Sequence, residues 1–235
     1  MKKTILFLSC EHGGNEVPEA YQHLFAGHEA VLNTHRGIDF GALAIMQHLQ
    51  KVFRCESVYT TVTRLLIDCN RSLTHPHCFS EFTKKLSPIE KQRLIEQYYL
   101  PHRQRAEAVI QRLIDEGNQV LHLSIHSFTP EFNGTIRNAA IGLLYDSKHH
   151  GEKEVARLWH ELLLQKTPAY RIRNNYPYRG SSDGFTQYLR KKHSEQEYLG
   201  FEVESNQALV QTASSLNELS DVYSHSLSDL LELLS

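Results

Sequence analysis

No stretch of this chain is long and apolar enough to read as a transmembrane helix, no two cysteines are spaced as a pair, and neither sign of charge dominates. Each absence narrows the reading. Lys2 and Lys3 followed by "TILFL" mimic the start of a secretory signal. The apolar run stops at Cys10, however, and gives way to Glu11, His12 and Glu16 without a small-residue cleavage pattern. A buried first strand explains it better, and we expect a cytoplasmic protein. The 4 cysteines, at positions 10, 55, 69 and 78, form no C-x-x-C. Cys10, Cys55 and Cys69 lie in or beside apolar runs and read as reduced packing residues. A formal charge of -2 and a pI near 6.7 argue against non-specific binding to nucleic acid or to an anionic membrane. The one basic run, "YLRKKH" at 188–193, is short and reads as the polar face of a helix.

The chain has 235 residues, 40% of them hydrophobic and 22% charged, enough to bury a substantial core. No repeat, low-complexity tract or linker divides it, so a single domain over 1–235 is expected. Short β-rich runs predict strands at 4–10, within 56–69 (one or two), and at 118–128, 139–146 and 197–205. Helical patterns fall between them at 41–53, 87–117, 151–165 and 184–193, and again at 215–234. Pro101 should kink or split the longest. Strands alternating with helices imply an α/β fold with a mainly parallel sheet covered on both faces.

In such sheets ligands bind outside the carboxyl ends of the strands. Polar clusters recur at those ends: "CEHGGNE" after the first strand, "RLLIDCNR" after the second region, His126 in the third, and Glu202 and Glu204 in the last. The chain also holds 15 histidines, an unusual number that locates no site by itself. A catalytic zinc takes three His or carboxylate ligands and keeps one position open for water, and a separate carboxylate then serves as base. His12 and His126 are the best-placed ligands. The third is Glu16, four residues after His12, or Asp39 at the start of the next helix, with Asn15 a weaker, neutral option. Singly each residue has a plainer explanation. His12 suits a polar turn, Glu16 a first-turn charge, Asp39 an N-cap, and Asp68, Asn70 and Arg71 a turn with a surface ion pair.

Six stretches, "CEHGGNEVP", "RGIDFGALA", "TRLLIDCNR", "LHLSIHSFTP", "NYPYRG" and "YLGFEVES", resemble the N-formylglutamate amidohydrolase family. They run in the expected order to about residue 210. That family is similar in fold to the zinc carboxypeptidases and aspartoacylases. The resemblance therefore implies a three-layer α/β/α core of phosphorylase/hydrolase type around a mixed, mainly parallel sheet. It further implies that His12 and His126 bind zinc, with iron, manganese or cobalt as substitutes. Asp39 matches an acidic family position. Glu202 would be the general base and Arg64 would polarise the scissile carbonyl. Asn70 and Arg71, in a "D-L-N-R"-like element, would hold a substrate carboxylate, and Asn175 and Tyr178 would line the pocket. Ser127, His122 and His35 are candidate supports, and Glu11 and Glu19 read as bystanders. Many relatives carry a basic residue where this chain has Glu204. The implied activity is metal-dependent hydrolysis of a small N-acyl amino acid, N-formylglutamate-like. The alternatives are a zinc carboxypeptidase-type peptidase acting on a small or cell-wall peptide, and a non-catalytic metal- or carboxylate-binding relative.

Overall fold

The computed structural model describes residues 2–235. Its centre is a six-stranded sheet formed by β1 (Thr4–Cys10), β2 (Glu56–Tyr59), β3 (Gln119–Phe128), β6 (Ile141–Leu144), β7 (Ile172–Asn174) and β8 (Tyr198–Asn206). The strand order is β2-β1-β3-β8-β6-β7. The first four run parallel to one another; β6 is antiparallel to β8, and β7 is parallel to β6. The sheet is therefore mixed and mainly parallel, as expected. β4 (Glu131–Phe132) and β5 (Thr135–Ile136) make a separate small hairpin that sequence patterning does not announce.

Side chains alternate across each strand, so every other residue shares a face. On one face Leu6 and Leu8, Leu121, Leu123 and Ile125, and Leu199, Phe201 and Val203 form a continuous apolar surface. It packs against α1 (Ala42–Phe53), α4 (His150–Lys166) and α6 (Ala213–Leu233) through Ile45, Met46, Trp159, Leu163, Tyr223 and Leu227. Trp159 is fully buried, and its indole N–H donates to Ser226 Oγ at 3.1 Å, which meets the requirement of a buried polar handle. The opposite face changes character along its length. At the amino ends Phe7, Val120 and Tyr198 pack against α3 (Leu100–Asp115) and α5 (Phe185–Arg190). Toward the carboxyl ends the same alternation exposes Ser9, Ser124 and Glu202 in register, and then His126 beside Glu204. One periodicity thus yields both the core and a polar crevice.

The predicted long helix is divided near Pro101. α2 (Pro88–Leu94) starts with a capping box between Ser87 and Glu90 and has Pro88 in its first turn. It passes through a π turn at Ile95–Tyr99 into α3. Pro101 cannot donate to the ladder, and the wide turn sits where its bond would be. Tyr99 at this junction donates its hydroxyl to Arg71 O at 2.8 Å and so ties the kink to the site loop.

The region 56–69 holds one strand of the one or two expected. Only Glu56–Tyr59 pairs as a strand, and beyond it the one ladder contact is the bridge between Val62 and Glu16. Side chains take over the backbone there: Asp68 Oδ1 accepts from Asn70 N at 2.9 Å and Thr63 Oγ1 donates to Gly37 O at 3.0 Å. Such local bonds compete successfully with a ladder. "RLLIDCNR" is therefore an irregular loop laid across the strand ends, not a strand. Among the described residues no helix is long and apolar enough to cross a membrane.

A further polar link holds β8. Arg190 of α5 donates Nε to Glu152 Oε1 at 2.7 Å and Nη2 to Gly200 O at 2.6 Å. Glu152 Oε1 also accepts from Gly200 N at 2.8 Å, and its Oε2 accepts from Asp146 N at 2.8 Å. Both side chains are buried. The pair joins α4, α5 and β8 at one point.

Candidate metal centre

β1 ends at Cys10, and the chain turns sharply through Glu11–Asn15. The turn lies close against the 60–63 segment: a Cβ on Gly14 would stand 2.2 Å from Thr61 O, so only glycine fits. Asp39 N donates to His12 O at 3.1 Å, which brings the start of the next segment beside the histidine. β3 supplies His126 from the neighbouring strand.

Three side chains converge. His12, Asp39 and His126 are all buried, and their ligand atoms lie within 4.8 Å of one another. The detail of the convergence identifies the donor atoms. Asp39 Oδ2 lies 2.8 Å from His126 Nδ1 and 3.3 Å from His12 Nδ1. The outward nitrogens are held by other groups. His12 Nε2 lies 2.7 Å from Asp68 Oδ1. His126 Nε2 lies 2.8 Å from Ser124 Oγ and 3.2 Å from Glu11 Oε2. A carboxylate that accepts from the far nitrogen fixes the tautomer and turns the near lone pair inward, the arrangement expected around a metal-binding imidazole. The donor set of two nitrogens and one carboxylate suits zinc.

The charges fit this view. Burial alone would raise the Asp39 carboxyl, but His12 and His126 hold it well below the usual carboxylate range. Burial would likewise raise Asp68, and Arg64 with His12 overcomes it. Burial would lower His126, but its bonds to Asp39 and Glu11 raise it well above the ordinary histidine value. Three buried carboxylates, Glu11, Asp39 and Asp68, surround two histidines.

The other expected residues separate into two groups. Arg64 and Glu202 line the same cavity of about 210 Å³, with Arg71 and Tyr178. Arg64 Nη2 donates to Asp68 Oδ2 at 2.9 Å, and its side chain keeps 25% exposure toward the pocket. Glu202 Oε1 accepts from Asn70 Nδ2 at 3.1 Å. Asn70 Oδ1 in turn accepts from Phe185 N at 2.7 Å, so this amide braces Glu202 against the start of α5. Arg71 donates to the carbonyl of Asp183.

Asn175, Glu16 and Asn15 fall outside this centre. Asn175 is not in the cavity wall: its Oδ1 accepts from Tyr145 N at 3.1 Å and Gly180 N at 3.0 Å, and it shapes the turn after β7. Glu16 is exposed and accepts from Thr61 Oγ1 at 2.7 Å, away from the three convergent ligands. Asn15 Nδ2 donates to Leu32 O at 3.1 Å and to Asn33 Oδ1 at 2.8 Å.

Two roles were missed. Glu11 is no bystander. It is 1% exposed, accepts from Ser124 Oγ at 2.5 Å and lies 3.4 Å from His102 Nε2. Asp68, read from sequence as half of a surface ion pair, is 4% exposed and grips both His12 and Arg64. Of the candidate supports, Ser127 donates its backbone N–H to Asp39 Oδ2 at 3.4 Å, and His35 stands in the pocket wall. His122 is a row deeper, bonded to Ser9 and Tyr198 at 2.7 Å each.

The family model described as N-formylglutamate amidohydrolase matches residues 4–211. Among solved structures, gene product Atu2144 from Agrobacterium tumefaciens is 26% identical with a TM-score of 0.81, covering 98% of this chain and 92% of that one. The N-formylglutamate amidohydrolase from Ralstonia eutropha JMP134 is 18% identical with a TM-score of 0.71, covering 100% of this chain and 95% of that one, a likeness of fold. No curated protein matches.

Proposed function

The chain belongs to the N-formylglutamate amidohydrolase family, and from that premise we propose that it is a metal-dependent amidohydrolase acting on a small N-acyl amino acid. The observation that carries this reading is the convergence of His12 Nδ1 and His126 Nδ1 on Asp39 while carboxylates hold both outer nitrogens. These three residues would hold a zinc ion, which when bound lowers the pKa of a water and polarises a carbonyl.

The remaining roles follow from the pocket wall. Glu202, steadied by Asn70, removes the water's proton and returns it to the departing amine. Arg64, pinned by Asp68, aims its remaining N–H groups at the developing oxyanion. Arg71, with Arg179 beside it in the wall, offers planar N–H groups to the α-carboxylate. Asn70 takes less part in carboxylate binding than its motif implies, because its oxygen and nitrogen already serve Phe185 and Glu202. A cavity of about 210 Å³ lies below the ~300–1,000 Å³ of ordinary drug-sized sites. That favours a single acylated amino acid over a peptide.

The test pairs metal analysis of the purified protein with assays of formate or amino-acid release from a panel of N-acyl amino acids. One equivalent of zinc and release from at least one substrate are expected. Glu202→Gln should keep its metal and lose about 100- to 10,000-fold in turnover. Full activity in that variant would remove Glu202 from the role of base. No metal, and no hydrolysis after zinc is added, would leave a binding protein.

A further inference from the structure

One carboxyl in the pocket has no task in this scheme. Glu204 follows Glu202 by two residues on β8, so both side chains lie on the crevice face, with Cα atoms about 7 Å apart. Both line the cavity. Glu204 is 5% exposed, and its Oε2 is buried without a hydrogen-bond partner. An acceptor in that condition bears the full desolvation penalty, and native structures seldom leave one so without a reason. Arg64 is engaged by Asp68 and Asp39, and Arg71 by Asp183.

The neighbouring strand sets backbone, not a side chain, beside Glu204. Gly142 is its register partner on β6. A Cβ there would stand 3.2 Å from Glu204 Cβ and 2.0 Å from Tyr176 O. Glycine therefore lets the Tyr176 carbonyl of the loop after β7 pack against β6, and β6 places no side chain against Glu204. Beside Glu204 a substrate carboxylate would add a second acceptor where the first already lacks a donor, whereas an N–H group would supply that donor.

We propose that Glu204 is a specificity-determining residue that accepts a hydrogen bond from an N–H donor ending the substrate's side chain, so that the preferred N-acyl amino acid carries a terminal amine or carboxamide and not a carboxylate. This rests on the amidohydrolase reading above.

The experiment uses the zinc-loaded protein with N-formylglutamine, N-formyl-lysine and N-formylglutamate. It measures kcat/KM by product release and affinity by calorimetry. At least one of the first two should exceed N-formylglutamate by about tenfold or more. Glu204→Met removes the acceptor, keeps the volume and spares the fold an unpartnered buried carboxyl, so it should narrow the ratio to about twofold. Preference for N-formylglutamate in the unmodified protein, an unchanged ratio in Glu204→Met, or no binding of any of the three overturns the proposal. Binding preference that vanishes in Glu204→Met, with none of the three hydrolysed, would keep the specificity assignment and discard the hydrolytic reading.

Discussion

Asp39 and Glu16 were equal candidates on spacing, and their surroundings now separate them. Asp39 is 4% exposed between two imidazoles, whereas Glu16 is exposed beside Thr61. Asp39→Ala should reduce bound zinc from one equivalent to below about a tenth after dialysis, because two histidines alone make an incomplete site. Glu16→Ala should retain the full equivalent. Metal content by mass spectrometry decides it, and retention by Asp39→Ala would reopen the third ligand. At this scale the histidines, Asp39, Arg64 and Glu202 were legible because each sits at or near a strand's carboxyl end or in a segment that matches the family. Glu11 was not. A glutamate in a glycine-rich turn has the sequence signature of a surface charge, and its burial arises only when Ser124 of β3 and His102 of α3 meet it. Neither partner is near it in the chain.

Elements show the same division. Helices and strands built on period-3.6 or period-2 patterns emerged within a few residues of expectation: 41–53 became Ala42–Phe53, and 118–128 became Gln119–Phe128. Within 56–69 no second strand forms past Tyr59, because the β-branched residues and leucines there bury themselves against a third apolar cluster under the site loops, through Leu65, Leu66 and Ile67, while side chains satisfy the backbone. β7 has 3 residues and no room for a pattern to develop. The link between α4, α5 and β8 carries a prediction of its own. Arg190→Met leaves Glu152 charged and buried, and should destabilise the fold by about 3–5 kcal/mol. Replacing both partners with Met should recover only part of that loss, because the N–H groups of Gly200 and Asp146 and the carbonyl of Gly200 then lose their partners. Urea midpoints of the two variants test this, and a loss under about 1 kcal/mol in the single variant would show the pair to be dispensable.

For the whole molecule, acid sensitivity has an identifiable source beneath the site. Burial pushes His122 down to about 4, so it stays neutral in the folded protein, bonded to Ser9 and Tyr198. An unfolded histidine titrates near 6.5. Between those values the unfolded chain binds the extra proton, so the His122 contribution is fully present above about pH 6.5 and is lost as pH falls toward 4. Unfolding free energies at about pH 7 and about pH 5 should differ by about 2 kcal/mol less in His122→Gln than in the unmodified protein. An identical slope in both would assign the acid sensitivity to other groups.

The sheet order has a consequence for how such a protein comes into being. β8, the last strand to be synthesised, lies in the middle of the sheet, between β3 and β6. Until it inserts, β2-β1-β3 and β6-β7 are two fragments with no common edge. His12, Asp39 and His126 all belong to the part of the chain that leaves the ribosome earlier, while Glu202 arrives on the strand that joins the fragments. A nascent chain can therefore own its candidate metal ligands while lacking its proposed base, and completion of the candidate site and closure of the sheet become a single event in the life of each molecule.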